Sequence, residues 1–253
     1  RPEINAVLIE LKDPRLSLED DMILFVNKLY STFSKLFNEG RSVSDIIINS
    51  ISKAGKTDEK VFNWLVEHNK DNPKYTCLLG LFYSWEIGTE NKTDDVFNLF
   101  LKAANSDNIF AQYFVGRCYE TGWNIRKNTK QAMKWYNKAS EAGCANAKRR
   151  LGEYYYKLNK YKKAFNYLKS AADKGNALAM NTLGICYQKG YGTKVDKVKG
   201  FKSFEKAAEK GLPDSQFELG DCYEHGIGTK ENLEMSLYWY KKASQKNSNY
   251  QYH

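Results

Sequence analysis

From residue 74 to residue 246 the apolar positions recur at helical spacing, in blocks that resemble one another. "LLGLFY" begins at Leu78, "FVGRCY" at Phe114, "RLGEYY" at Arg150, "TLGICY" at Thr182 and "ELGDCY" at Glu218. The glycines of these blocks (Gly80, Gly116, Gly152, Gly184, Gly220) are spaced 36, 36, 32 and 36. A second column of small residues (Ala104, Ser140, Ala172, Ala208, Ser244) is spaced 36, 32, 36 and 36. Two independent columns therefore agree on five units, about 74–109, 110–145, 146–177, 178–213 and 214–246. Each unit predicts a pair of helices, A and B. In the last unit A runs from about Ser215 to Glu224 and B from about Asn232 to Ser244. The loops between them, such as "ETGWN", "QKGYGT" and "EHGIGT", contain glycine, which meets the backbone demands of a tight turn. The third unit lacks four residues here, which accounts for its shorter spacing.

A glycine inside a helix costs about 1 kcal/mol relative to alanine and needs a reason. Each is followed three residues later by Tyr83, Tyr119, Tyr155, Tyr187 or Tyr223. The expectation is that the glycine lets the partner helix approach, that this aromatic fills the space beside it, and that the small residues of helix B act likewise from the other side. Neither helix can bury its apolar face alone, so stacking of units makes the core.

The first 73 residues do not repeat. "SLEDDMILFVNKLYSTFSKLFNEG" predicts an amphipathic helix capped by Ser17 and Asp20 and ended by Gly40. "SVSDIIINSISKAG" predicts a second helix ended by Gly55, and "TDEKVFNWLVEHN" a third, capped by Thr57. In the repeat register Trp64 falls on the aromatic helix-B column and His68 on the small-residue column. Residues 17–73 are thus expected to be a helical linker and N-terminal cap, the third helix covering the open end of the first unit.

Composition adds little to this fold but limits the chemistry. No apolar run approaches the roughly 18 residues of a membrane span, and no leader with an apolar centre opens the chain. The first residue is Arg1 rather than methionine, so a piece of a longer protein is expected. The five cysteines (Cys77, Cys118, Cys144, Cys186, Cys222) point to reduced thiols and a cytoplasmic or nuclear setting, cytoplasmic being the expectation. The net charge of +9 is uneven, with 12 basic and 2 acidic residues in 126–163. A solvated lysine-rich surface is the plain reading; an acidic partner surface or nucleic acid are the others.

Cys222 and His225 have metal-like spacing, but the residues equivalent to His225 in other units are Thr121 and Lys189. "GIG" lacks the G-K-[ST] of a phosphate loop. "YWY" at 238–240 matches "KWY", "NYL" and "SFE" at one helix-B position, which makes it core rather than a base-stacking platform. With histidines only at 68, 225 and 253 and no recurring acidic pair, no catalytic residue, metal ligand or cofactor is expected.

The repeated pattern "A/S-x-x-x-L-G-x-x-Y-x-x-G-x-G-T…A-x-x-W-Y-x-K-A-A/S-x-x-G" resembles the Sel-one-like repeat, a tetratricopeptide-like class. The resemblance implies an all-α, right-handed solenoid of helix–turn–helix repeats, used as a scaffold or adaptor that binds peptide or helical segments in a concave groove. It also implies that two columns four residues apart in helix A line that groove: Tyr113 with Arg117, Arg149 with Glu153, Asn181 with Ile185, and Phe217 with Asp221. With Lys148 and Arg150 nearby, an acidic segment is the expected ligand, whereas Lys130, Lys134 and Lys138 lie apart on helix B.

The opening "RPEINAVLIEL" resembles the last helix of a protein-kinase catalytic domain through Arg1, Pro2, Ile4, Val7, Leu8 and Leu11. This implies a kinase domain ahead of the chain, residues 1–16 being its remnant, and a role in signalling. The chain has no glycine-rich loop, "HRD" or "DFG" of its own, so it is not expected to be an enzyme. One alternative is a regulatory tail packing on that kinase domain in cis. The other is nucleic-acid binding through 126–163, which the mixed helix-A columns disfavour. At the other end "NSNYQYH" aligns with the opening of a further helix A, so a truncated repeat at 247–253 is expected, with either end-to-end self-association or a continuation of the protein beyond His253.

Overall fold

The computed structural model describes residues 17–90, 95–123 and 125–245. The kinase-like stretch at 1–16 and the start of a further repeat at 247–253 lie outside the described residues. Among those described there are thirteen helices and no strand. The chain is an all-α solenoid. Three helices come first: α1 (Leu18–Asn38), α2 (Ser44–Lys53) and α3 (Asp58–His68). Five A/B pairs follow: α4 (Pro73–Ser84) with α5 (Val96–Asn105), α6 (Ile109–Thr121) with α7 (Thr129–Glu141), α8 (Ala145–Lys157) with α9 (Tyr161–Asp173), α10 (Ala177–Lys189) with α11 (Lys197–Glu209), and α12 (Pro213–Glu224) with α13 (Leu233–Ser244). α12 begins earlier than the apolar pattern suggests, because Pro213 suits the first helical position, where no N–H is required.

The termini are set by local chemistry. Ser17 Oγ accepts from Asp20 N at 3.1 Å and donates to the Asp20 carboxylate at 2.7 Å, a reciprocal cap on α1. Thr57 caps α3 through Lys60 N, and Asn108, Asn128, Asn176 and Asn232 cap α6, α7, α10 and α13. The shortened third loop turns on Asn159, left-handed at φ 57°, instead of a glycine.

The glycine column has one contact repeated five times. A methyl group on Gly80, Gly116, Gly152 or Gly220 would lie 2.7 Å from Phe100, Tyr136, Leu168 or Tyr240, and on Gly184 it would lie 2.6 Å from Phe204. This corrects the sequence expectation in one respect. The space beside each glycine is filled by a side chain of helix B in the same repeat, not by the tyrosine that follows in helix A. Those tyrosines reach backwards instead. Tyr119 meets Phe97, Tyr187 meets Phe165 and Tyr223 meets Phe201, each edge-on at 5.5, 5.4 and 5.3 Å. Tyr83 meets Phe62 of α3 in the same way at 5.1 Å, so α3 stands to α4 as a helix B stands to the next helix A. In the third repeat Tyr155 stacks on Tyr167 of its own helix B.

The chain divides into two compact units. The first holds α1 up to Leu36 and residues 43–142; the second holds residues 37–42 and everything from Gly143 onwards. In the first unit α1 buries Phe25, Val26, Leu29, Phe33 and Leu36. In the second, the short turn after α1 packs against the starts of α8 and α10, in the third and fourth repeats.

Candidate functional site

In the first unit the outward face of α6 is occupied by the chain itself. Phe33 of α1 meets Phe110 edge-on at 5.3 Å and Phe114 at 6.4 Å, and Asn108 Nδ2 donates to Tyr30 Oη at 2.8 Å. Burial pushes the Tyr30 phenol well above its usual range. Glu19, on the first turn of α1, accepts from Trp64 Nε1 at 3.0 Å and lies 3.3 Å from His68 Nε2, tying α1 to α3.

In the second unit residues 37–42 form a strap held largely through the main chain. Asn146 Nδ2 donates to the Phe37 carbonyl, and Asn176 Nδ2 donates to the Asn38 carbonyl at 3.0 Å. Ala145 N donates to Asn38 Oδ1 at 2.9 Å and Ala177 N to the Glu39 carbonyl at 3.0 Å. Both are first-turn amides with no partner inside their own helix, so the strap satisfies donors that α8 and α10 leave open. Asn146 and Asn176 are buried and bond to each other. Gly40, at φ 76°, passes Asn176 so closely that a methyl group would stand 3.1 Å from its amide.

The residues expected to line a groove fall in several environments. Tyr113 is buried against Phe114 and Tyr136. Arg117 is half-buried. Arg149 is buried, pairs with Glu153 and donates to Asn146; Arg150 also reaches Glu153, at 3.5 Å. Asn181 Oδ1 accepts from Ser215 Oγ at 2.8 Å, and Ile185 packs with Phe201, Leu219 and Cys222. Both therefore lie in the joint between the fourth and fifth repeats. On α12, Phe217 is 58% exposed and Asp221 meets His225 at 3.2 Å. The residues that hold the strap (Asn146, Asn176 and the helix N-termini) escaped the sequence reading.

Other chemistry is limited. All five cysteines are buried and free; burial pushes the Cys144 and Cys186 thiols to about 11 and those of Cys118 and Cys222 to about 12. Cys222 points inward while the His225 side chain is 58% exposed, so the pair does not converge. Among the described residues no group of three potential ligands could hold a metal, and no helix is long and apolar enough to cross a membrane.

The model of the Sel1 repeat matches residues 109–144, 145–176, 177–212 and 213–248, more than half of the chain. The chain belongs to the Sel1 repeat family. The four matches cover the pairs from α6 to α13, and the pair α4/α5 ahead of them carries the same glycine contact. A Sel1 repeat protein from Oxalobacter formigenes superimposes with a TM-score of 0.68 at 28% identity, over 85% of this chain and 84% of that one. The uropathogenic Escherichia coli protective antigen c5321, which displays an SLR fold, gives 0.67 at 24% identity over 88% and 53%, a likeness of fold. The sel1-like repeat-containing protein L21 of Acanthamoeba polyphaga mimivirus is 28% identical over 141 residues, 51% of this chain. The chain spans only 26% of that relative's length. Sel1 repeats are a scaffold fold whose general role is protein–protein interaction, typically without enzymatic activity.

Proposed function

We propose that this chain is an interaction module that grips segments of partner proteins along the helix-A side of its second unit. One observation carries the reading: the helix-A ends of α8 and α10 already hold a stretch of chain, residues 37–42, largely by its main chain. Donors arranged to bind a backbone are what recognition of a peptide requires. The strap uses the third and fourth repeats and leaves the fifth, where Phe217 and Asp221 are the accessible members of the expected groove columns. The kinase-like stretch at Arg1–Leu11 favours a signalling protein as the parent. An acidic ligand loses its support: Arg149 and Arg150 both engage Glu153, and Lys148 Nζ donates to Ser170 at 2.8 Å.

The test is partner capture on the immobilised chain followed by substitution. Capture is expected to fall with Phe217→Ala/Asp221→Ala and to survive Lys130→Ala/Lys134→Ala, which lie exposed on α7. The reverse pattern would make the basic outer face the working surface. Binding of labelled single-stranded RNA with a steep salt slope, lost in the lysine variant, would move the reading to nucleic acid.

A further inference from the structure

The turn that joins helix A to helix B lies at one edge of each repeat, and in the second unit the edges of the third and fourth repeats meet. Gly192, in the turn between α10 and α11, passes the start of α9 so closely that a methyl group would strike the Tyr161 carbonyl. Tyr161 and Tyr191 stack at 4.7 Å, and Tyr156 meets them edge-on at 5.4 and 5.5 Å. The stretches "KLNKYKK" at 157–163 and "KGYGTKVDKVK" at 189–199 therefore form one surface.

That surface carries eight lysines, all exposed, no arginine and a single carboxylate. The carboxylate, Asp196, is engaged by Lys199 Nζ at 2.9 Å. Among the lysines stand aliphatic side chains open to solvent: Leu158 is 46%, Val195 58% and Val198 51% exposed. The fifth repeat breaks the pattern, its turn having Glu224, Glu231 and Glu234 against Lys230. Solubility alone would call for lysines without the apolar tips, and would not confine them to two repeats. The make-up also selects a partner. Nucleic acid is met by ring faces on which bases stack, and Leu158, Val195 and Val198 cannot stack. A carboxylate on a folded partner is met best by the bidentate fork of arginine, absent here. Lysine point charges suit a fluid sheet of anionic headgroups that can move to meet them, and aliphatic tips gain by entering the acyl boundary beneath.

We propose that this edge docks the chain on an anionic membrane surface, its lysines against phospholipid headgroups and Leu158, Val195 and Val198 dipping between them. The attachment is peripheral, since no helix among the described residues is long and apolar enough to cross a bilayer. It is independent of the interaction-module reading: the strap contacts the starts of α8 and α10, and the basic edge lies at the other end of those helices.

The test is co-sedimentation of the full chain with two kinds of vesicle, phosphatidylcholine alone and phosphatidylcholine mixed with phosphatidylserine. Affinity for the mixed vesicles is expected to be about tenfold higher or more, and to weaken with salt. Lys160→Ala/Lys162→Ala should lower it about tenfold, against about twofold at most for Lys130→Ala/Lys134→Ala, which removes the same charge. Leu158→Ser/Val195→Ser should lower it about threefold or more with the salt dependence unchanged. All the substituted residues are exposed, so helicity and melting temperature should stay those of the parent chain. No preference for the mixed vesicles, equal loss in the two lysine pairs, or indifference to Leu158→Ser/Val195→Ser overturns the proposal. Labelled single-stranded RNA and polyglutamate are run beside the vesicles. Tighter binding to either, lost in Lys160→Ala/Lys162→Ala and kept in Leu158→Ser/Val195→Ser, also overturns it and assigns the surface to that polymer.

Discussion

Asn146 and Asn176 meet side chain to side chain at 3.1 Å, and each also holds a carbonyl of the strap. Asn176 has a third task as the cap of α10, through Ala179 N at 3.0 Å. Asn176→Ala removes all three contacts and leaves buried partners unsatisfied. A loss of about 2–4 kcal/mol is expected, against about 1 kcal/mol for Asn128→Ala, an exposed cap. Urea denaturation of the two variants is the measurement, and equal midpoints would show that the strap contributes nothing.

The glycine contact gives a graded expectation. Alanine at Gly184 or Gly220 gains about 1 kcal/mol of helix propensity and forces a methyl against a ring. Phe204 is fully buried and cannot yield, whereas Tyr240 is half-buried on the last helix, its hydroxyl bonded to Glu224. Gly184→Ala should therefore lower the melting temperature, by roughly 1–3 kcal/mol in stability, and Gly220→Ala should lower it less. Gly220→Leu should destabilise by at least as much as Gly184→Ala. A higher melting temperature in Gly184→Ala would contradict the packing account.

Phe33 binds α1 to the first repeats. It is fully buried and touches Phe110, Phe114 and Trp85. Phe33→Ala should cost about 3–5 kcal/mol, read from chemical denaturation. A cost near that of a surface substitution would mean that α1 is an appendage.

The buried thiols predict an alkaline limit. Their folded pKa values, about 11 to 12 for Cys118, Cys144, Cys186 and Cys222, exceed the usual 8.5 or so of an unfolded cysteine. The folded state therefore holds protons that the unfolded state releases. This contribution is complete below about pH 8.5 and is lost as pH rises towards the folded values, by up to about 1.4 kcal/mol per pH unit for each thiol. Stability measured from pH 7 to 10 should fall on the alkaline side, and a thiol reagent should label the native chain slowly and the unfolded chain fully. Fast labelling of the native chain would show the thiols to be accessible.

The repeat was open to sequence reading because its determinants are local. Gly80 to Gly220 and the small column act between the two helices of one repeat, within about 20 residues of chain. The helical pattern of residues 57–69 likewise anticipated a helix, α3, although Phe62 stands one residue off the register that put Trp64 on the helix-B column. What stayed hidden depends on contacts distant in sequence. Nothing near Asn38 announces that Asn176 will bond its carbonyl, and nothing near Phe110 announces Phe33. The groove columns were misleading for a related reason. Spacing puts Tyr113, Asn181 and Ile185 on the same side as Phe217, but whether that side meets solvent or the next repeat depends on stacking geometry. Phe217, in the fifth repeat, is the member of these columns that is plainly exposed.

The backward reach of the tyrosines has a consequence for how the chain is made. During synthesis from the N-terminus, four of the five helices A find their aromatic partner (Phe62, Phe97, Phe165 or Phe201) already outside the ribosome, only a loop and part of a helix behind them. α1 and the strap emerge before any repeat they hold, and the strap must wait for Asn146 and Asn176 to be translated. Repeats can thus dock one by one as they appear, while the strap closes late, once the third repeat is complete and α10 has begun.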